Sequence, residues 1–195
     1  MTADVPASAF YPSRNHFPNQ RCNMNKSDAA RILARRLGLN LGRANALLVA
    51  ASDAGVLPKA RGRDVPSLSS LELARIILAI VADRGIGVAG RSVTEFAGLQ
   101  TQEGAVLGDL LEGMIAGHVP VGGLQSVIVQ LDPPGVTVNT AGAHLRYGAA
   151  HAGGAARQVL VRGDDLAAVI LEFRGATPRE ADEQVAISRL AGALN

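Results

Sequence analysis

The chain is poor in the residues that cross-link proteins or stack on bases. Cys22 is the only cysteine among 195 residues, which excludes a disulfide within the chain. Tryptophan is absent and aromatic residues amount to 3%, so stacking platforms for single-stranded nucleic acid are not expected. Hydrophobic residues make up 48% of the chain, which is enough to fill a core. Because so few of them are aromatic, that core must be built from alanine, valine, leucine and isoleucine.

Long apolar runs and the pattern of a signal peptide are missing as well. No apolar stretch approaches the roughly 20 residues that a membrane-spanning helix needs. Residues 1–23 contain three prolines and no apolar periodicity, and we expect a flexible arm there. With a single cysteine and no leader pattern, we expect a cytoplasmic protein without a membrane partner.

Charge is distributed unevenly along the chain, although the net charge is only +2. Residues 24–63 contain eight bases and two acids, whereas residues 64–195 contain nine bases and fourteen acids. A basic segment joined to an acidic remainder is typical of a module that meets phosphate beside one that avoids it. Chance clustering of solvated side chains is the alternative.

Hydrophobic periodicity and capping signals predict an α+β fold with a helical amino-terminal part and a carboxy-terminal part of strands and helices. The amino-terminal helices are expected from Ser27–Asp28 to Gly38, Leu41 to Ala54, Leu71 to Asp83, a short one opened by a Ser92–Glu95 capping box, and Thr101 to Ala116. Behind them, 124–131 and 136–140 predict an antiparallel hairpin, 143–147 and 157–162 two further strands, 166–173 a helix in preference to a strand, and 177–193 a last helix. We therefore expect a flexible arm at 1–23, a helical domain at 24–117 and a small α+β oligomerisation domain with an antiparallel sheet at 118–195.

The segment Ala30 to Val49 has the spacing of a helix-turn-helix. Such a motif needs a small residue where the helices touch, a glycine at the turn and apolar residues facing inward. Ala34 and Gly38 fill the first two roles, and the inward set is Leu33, Leu37, Leu39, Ala44 and Leu47. A helical hairpin with a purely structural role is the alternative.

The same spacing leaves polar side chains on the outer side of the second helix, where a recognition helix contacts bases. Asn40, Arg43 and Asn45 form this set; Arg43 suits guanine and Asn45 suits adenine. The residues expected to hold phosphates are Arg35, Arg36, Lys59, Arg61 and Arg63. The loop around Arg61 could enter a minor groove, or it could be an ordinary solvated loop.

Other motifs point away from an enzyme. Residues 85–90 satisfy GxGxxG, but a helix is expected before them where a dinucleotide site needs a strand. We interpret these glycines as a helix stop and a linker, and we expect no cofactor. The four histidines are scattered without a metal-ligand spacing, and no nucleophile elbow, Walker loop or HExxH is present.

Residues 30–49 resemble the helix-turn-helix of bacterial and phage transcriptional regulators, and residues 54–83 are similar to uncharacterised prophage-type proteins. The resemblance implies an amino-terminal DNA-binding module followed by an oligomerisation module, without the Ser/Lys dyad context of self-cleaving repressors. We expect a sequence-specific regulator that binds double-stranded DNA as a homodimer, because one short recognition helix seldom supplies enough affinity. A small-terminase-like packaging protein and a protein-binding adaptor without nucleic acid are the alternatives.

Overall fold

Seven α-helices, a short 3-10 helix (Ile86–Val88) and one four-stranded sheet make up the regular structure of the computed structural model, which describes residues 24–59, 66–149 and 156–193. The helical part contains α1 (Lys26–Leu37), α2 (Leu41–Asp53), α3 (Ser70–Val81), α4 (Ala89–Ala97) and α5 (Leu107–Ala116). It is followed by β1 (Leu124–Gln130), β2 (Gly135–Thr140), β3 (His144–Gly148), β4 (Gln158–Arg162), α6 (Gly163–Phe173) and α7 (Pro178–Ala193). The predicted α+β fold is confirmed, and the arm predicted at 1–23 lies outside the described residues.

Local capping defines the ends of the first three helices. Asn25 caps α1, two residues before the predicted cap, and Gly38 ends the helix in the left-handed conformation at φ 64°. The side chain of Asn40 accepts a hydrogen bond from the Arg43 amide and so caps α2. At α3 the Ser69–Glu72 capping box forms as a reciprocal pair of hydrogen bonds.

Two helix starts differ from the sequence-based expectation. The helix α4 begins at Ala89, so Ser92 lies inside it and the Ser92–Glu95 capping box was wrong. The first turn of α4 packs tightly on the end of α2, because a Cβ added at Gly90 would lie 2.2 Å from that of Ala54. The helix α5 begins six residues late, because Gln100 and Val106 form an antiparallel bridge around a turn with Gly104 at φ 83°.

The sheet has the strand order β3-β2-β1-β4, with all neighbours antiparallel. The predicted hairpin is confirmed, since Val127 on β1 faces Val138 on β2 and Val161 on β4. Alternate side chains of these strands point to the core, where they meet apolar side chains of α3, α5 and α6. The segment after β4 is helical, as preferred from its spacing, and Gly163 makes the junction by lying against the β1 backbone.

One continuous core joins the helices to the sheet. Its buried members run from Ala29 on α1 to Phe173 on α6, and they include side chains from both sides of residue 118. The division into a DNA-binding domain and an oligomerisation domain at that point stays a prediction. None of the helices in the described part of the chain is long and apolar enough to cross a bilayer.

Candidate nucleic-acid interface

The helices α1 and α2 and their three-residue turn have, in part, the burial pattern that the helix-turn-helix spacing predicts, and Leu37 of the inward set is half-buried. Leu33, Ala34, Ala44 and Leu47 are buried, and Gly38 has the left-handed conformation that a turn of this type requires. Leu39 was wrongly assigned to the inward set, because its side chain is 42% exposed. Its amide closes α1 by donating to the Ala34 carbonyl, and the chain leaves the helix there.

The first two turns of α2 expose Asn40, Arg43 and Asn45, as expected. No acidic residue lies in the first turn, so the partial positive charge of the helix N-terminus is not neutralised within it. Gly42 leaves the backbone uncovered at the same end, and Leu41 and Val49 add exposed apolar surface. Because residues two apart on a helix point about 200° apart, Arg43 and Asn45 lie on opposite flanks of the exposed side of α2. Apolar groups and the helix N-terminus lie on the same exposed side.

Arg43 is paired with Asp83, which follows the end of α3. Nε and Nη2 of Arg43 donate to the two carboxylate oxygens, each over 2.8 Å. Burial by itself would raise the pKa of Asp83, but hydrogen bonds from Arg43 and from the Gly85 amide outweigh it and hold that pKa below its ordinary value. Because the hydrogen bonds that Arg43 donates to Asp83 also raise the pKa of Arg43, both groups are charged at neutral pH.

A second guanidinium contacts Asp83. Arg157, at the start of β4, donates from Nη2 to the Asp83 carbonyl over 3.0 Å. It is exposed, so two arginine side chains lie around one aspartate. We call Arg43, Asp83 and Arg157 together the Asp83 corner. The sequence did not single out Asp83 or Arg157, since no local pattern links residues 40 and 74 positions apart.

Arg35 and Arg36 are tied to the helices at the other end of the chain. Both donate to the carboxylate of Glu172 on α6, whose side chain is only 4% exposed. Arg36 also contacts the Asp182 carboxylate and the Pro178 carbonyl at the start of α7. A buried carboxylate is costly without such partners. The contacts with Glu172, Asp182 and Pro178 join α1 to α6 and α7 and engage the guanidinium of Arg36 within the fold.

The remaining predicted contacts fall at the edge of the described structure. Lys59 is exposed and forms an ion pair with Asp53 at 3.1 Å. Arg61 and Arg63 lie outside the described residues, and so does the interior of the basic loop. Asn45 is exposed on α2, where its amide is accessible to a ligand.

Neither a metal cluster nor a nucleotide fold is found in the described residues. No group of three or more His, Cys, Asp or Glu side chains in that part of the chain could hold a metal ion. A helix, not a strand, precedes Gly85, and Gly90 packs inside the chain. A cleft of about 390 Å³ lies between α6, α7 and residues 121–125, and Asp164 and Arg189 in its lining pair with each other at 3.2 Å.

The described residues thus define an α+β protein in which α1 and α2 are joined by a three-residue turn. Comparison of the chain with protein-family models, with curated proteins and with solved structures finds no match.

Removing Arg36 is expected to destabilise the fold. We expect Arg36→Ala to cost about 2 kcal/mol of unfolding free energy, less than the roughly 3–5 kcal/mol for breaking a fully buried pair, because Arg35 still contacts Glu172. Urea denaturation followed by circular dichroism measures the change. Arg31→Ala is the control, since Arg31 on the same helix is exposed, its ion pair with the half-exposed Asp28 spans 3.2 Å, and its loss should change little. Equal stabilities of the two variants would contradict a structural role for the Glu172 site.

Proposed function

We propose that the protein is a cytoplasmic, sequence-specific transcriptional regulator that binds double-stranded DNA through α1, the turn and α2. The observation that carries the proposal is the exposure of Arg43 and Asn45 on a helix whose first turn contains no acidic residue, with the contacts between α1 and α2 buried. A recognition helix enters the major groove with its N-terminal residues against the base edges.

Each part of the exposed α2 face fits one component of such an interface. Arg43 can donate to guanine, and the Asn45 amide suits adenine. Leu41 and Val49 are exposed large apolar side chains, which can contact thymine methyl groups. This apolar contribution offsets the small number of polar side chains on the helix.

The phosphate contacts are assigned to a set that differs by one exchange from the set the sequence suggested. Lys59, Arg61 and Arg63 remain in the set, and Arg157 joins it because it lies beside Arg43 at the Asp83 corner. Arg36 is left out because its guanidinium is engaged with Glu172, Asp182 and Pro178. Arg35 is half-exposed while it contacts Glu172, so it stays a peripheral member.

A homodimer is part of the proposal, because two half-sites supply the affinity that one short helix lacks. Light scattering of the purified chain tests it, since twice the chain mass is expected. A ring of many copies would favour the small-terminase-like alternative. A protein-binding adaptor would hold its partner through the apolar hairpin of β1 and β2, but the valines of these strands that face α3 and α5 belong to the core.

The direct test is the binding of a fluorescent duplex over a range of salt concentrations. Counterion release predicts that log K falls linearly with log salt concentration when lysines and arginines neutralise phosphates. Selection from random duplexes should then enrich a sequence motif. Failure to bind any duplex at low salt would contradict the proposal.

Arg61→Ala tests the phosphate set separately from base recognition. We expect the variant to bind all duplexes more weakly by a similar factor and to lower the salt slope by about 1. Arg179→Ala is the control with the same loss of charge, because Arg179 lies on α7 and pairs with Glu183. If both variants had the parent's salt slope, the loop that contains Arg61 would not contact the DNA phosphates.

A further inference from the structure

We infer that Asp83 is a positioning residue that holds Arg43 in the orientation needed to recognise a guanine. The inference rests on the proposed DNA-binding function and deepens it, because it names the base that α2 recognises and a residue outside the helix-turn-helix that sets this preference. Asp83 itself does not touch the base in this arrangement. It acts through the guanidinium of Arg43.

The argument begins with the two edges of a guanidinium. Asp83 accepts from Nε and Nη2 of Arg43, which are the donors along the side of the group. The other edge, formed by Nη1 and the second N–H of Nη2, is left for a ligand, and no residue in the described ranges is seen to accept from Nη1. Guanine offers O6 and N7 in the major groove as a matched pair of acceptors for one such edge.

Asp83 is itself held in place from two directions. The Gly85 amide donates to Oδ1 of the same carboxylate over 2.9 Å. The Arg157 guanidinium donates to the Asp83 carbonyl, which restrains the backbone of the residue. The Asp83 side chain is also only 27% exposed, so the carboxylate is a fixed support and not a mobile surface charge.

A fixed support changes what an arginine on this helix can discriminate. An unsupported arginine has several rotatable bonds and can reach either a phosphate or several neighbouring bases, so it adds affinity with little preference. Holding the guanidinium plane leaves one direction for the free edge and reduces the side-chain entropy lost on binding. The expected consequence is a preference for G·C at one position of the binding site.

A model in which Asp83 and DNA compete for Arg43 makes a different prediction. If Asp83 only neutralised Arg43, DNA would have to displace it, and removing the carboxylate would strengthen binding to every sequence. Because the contact with Asp83 leaves the second edge open, binding to guanine does not require this displacement. The two models therefore differ in whether Asp83 affects preference or general affinity.

The test measures base preference in Asp83→Asn. The parent and the variant are titrated against a set of duplexes in which one base pair of the selected site is changed at a time. We expect the preference for the G·C pair read by Arg43 to fall about tenfold, while preferences at the other positions stay as in the parent. Asn keeps a hydrogen-bond acceptor for the Gly85 amide but cannot accept from Arg43 with two oxygens.

Asp165→Asn is the matched control. Asp165 on α6 holds Arg162 through the same two donors, Nε and Nη2, so the variant removes the same type of pair and changes the net charge equally. It should keep the base preference of the parent. Asp83→Glu is a second test that leaves the charge unchanged, and its longer side chain should also weaken the preference at the same position. This variant decides the question if urea denaturation shows that Asp83→Asn is poorly folded.

Each outcome decides between the models. Loss of preference at one position in both Asp83 variants, but not in Asp165→Asn, supports the inference. Unchanged preference in the Asp83 variants, or tighter binding to all duplexes with the parent's preference, overturns it while the proposed function stands. A parent chain that binds no duplex overturns both.

Discussion

Gly163→Ala is expected to prevent folding or to destabilise the chain by about 3 kcal/mol or more. A Cβ at this position would lie 1.9 Å from the Leu124 carbonyl oxygen, 2.3 Å from the Leu124 carbonyl carbon and 2.7 Å from the Gln125 carbonyl carbon. All three atoms belong to the backbone at the start of β1, so no side-chain rotation relieves the contact. The strand or the start of α6 must move, and both contribute to the core.

Urea denaturation compared with Gly142→Ala tests this expectation. Gly142 lies in the connection between β2 and β3, where an added Cβ meets no atom within 4 Å. Its substitution should leave the unfolding midpoint close to that of the parent. A Gly163→Ala variant with the parent's midpoint would show that the junction between β4 and α6 adjusts without cost.

Arg43→Ala is expected to weaken binding to the preferred duplex by about tenfold to a hundredfold, the range of one bidentate contact to a base. Removal of the guanidinium deletes the proposed guanine contact and also exposes the Asp83 carboxylate to the DNA, where it repels phosphate. Binding to the preferred site and to unrelated duplexes should therefore be measured together. The base preference at one position should disappear in addition to the general loss.

A double variant separates the two contributions. Arg43→Ala combined with Asp83→Asn removes the uncompensated charge, so its affinity for unrelated duplexes should return toward that of the parent while the preference stays lost. Arg162→Ala is the control, because Arg162 forms the same kind of exposed pair with Asp165. A parent-like preference in Arg43→Ala would remove α2 from the proposed interface.

Much of the local structure could be predicted because its causes are local. The Ser69–Glu72 capping box, the left-handed Gly38 and the hairpin across residues 131–134 each depend on residues a few positions apart. The preference for a helix at α6 was correct for the same reason, since apolar residues recur there at helical spacing. The start of α4 was wrong because distant segments pack on each other, Gly90 against Ala54. The start of α5 was wrong for a nearer cause, the bridge between Gln100 and Val106.

The candidate site divides in the same way. The amino-acid order by itself determined that Arg43 and Asn45 would be exposed on α2, because its apolar residues recur at helical spacing and take the inner side. It did not determine the partners of the arginines, since 19 basic and 17 acidic residues allow many pairings. Only the tertiary structure decided that Glu172 takes Arg35 and Arg36 and that Asp83 takes Arg43, because each pair joins residues 40 to 137 positions apart that packing of the core brings together.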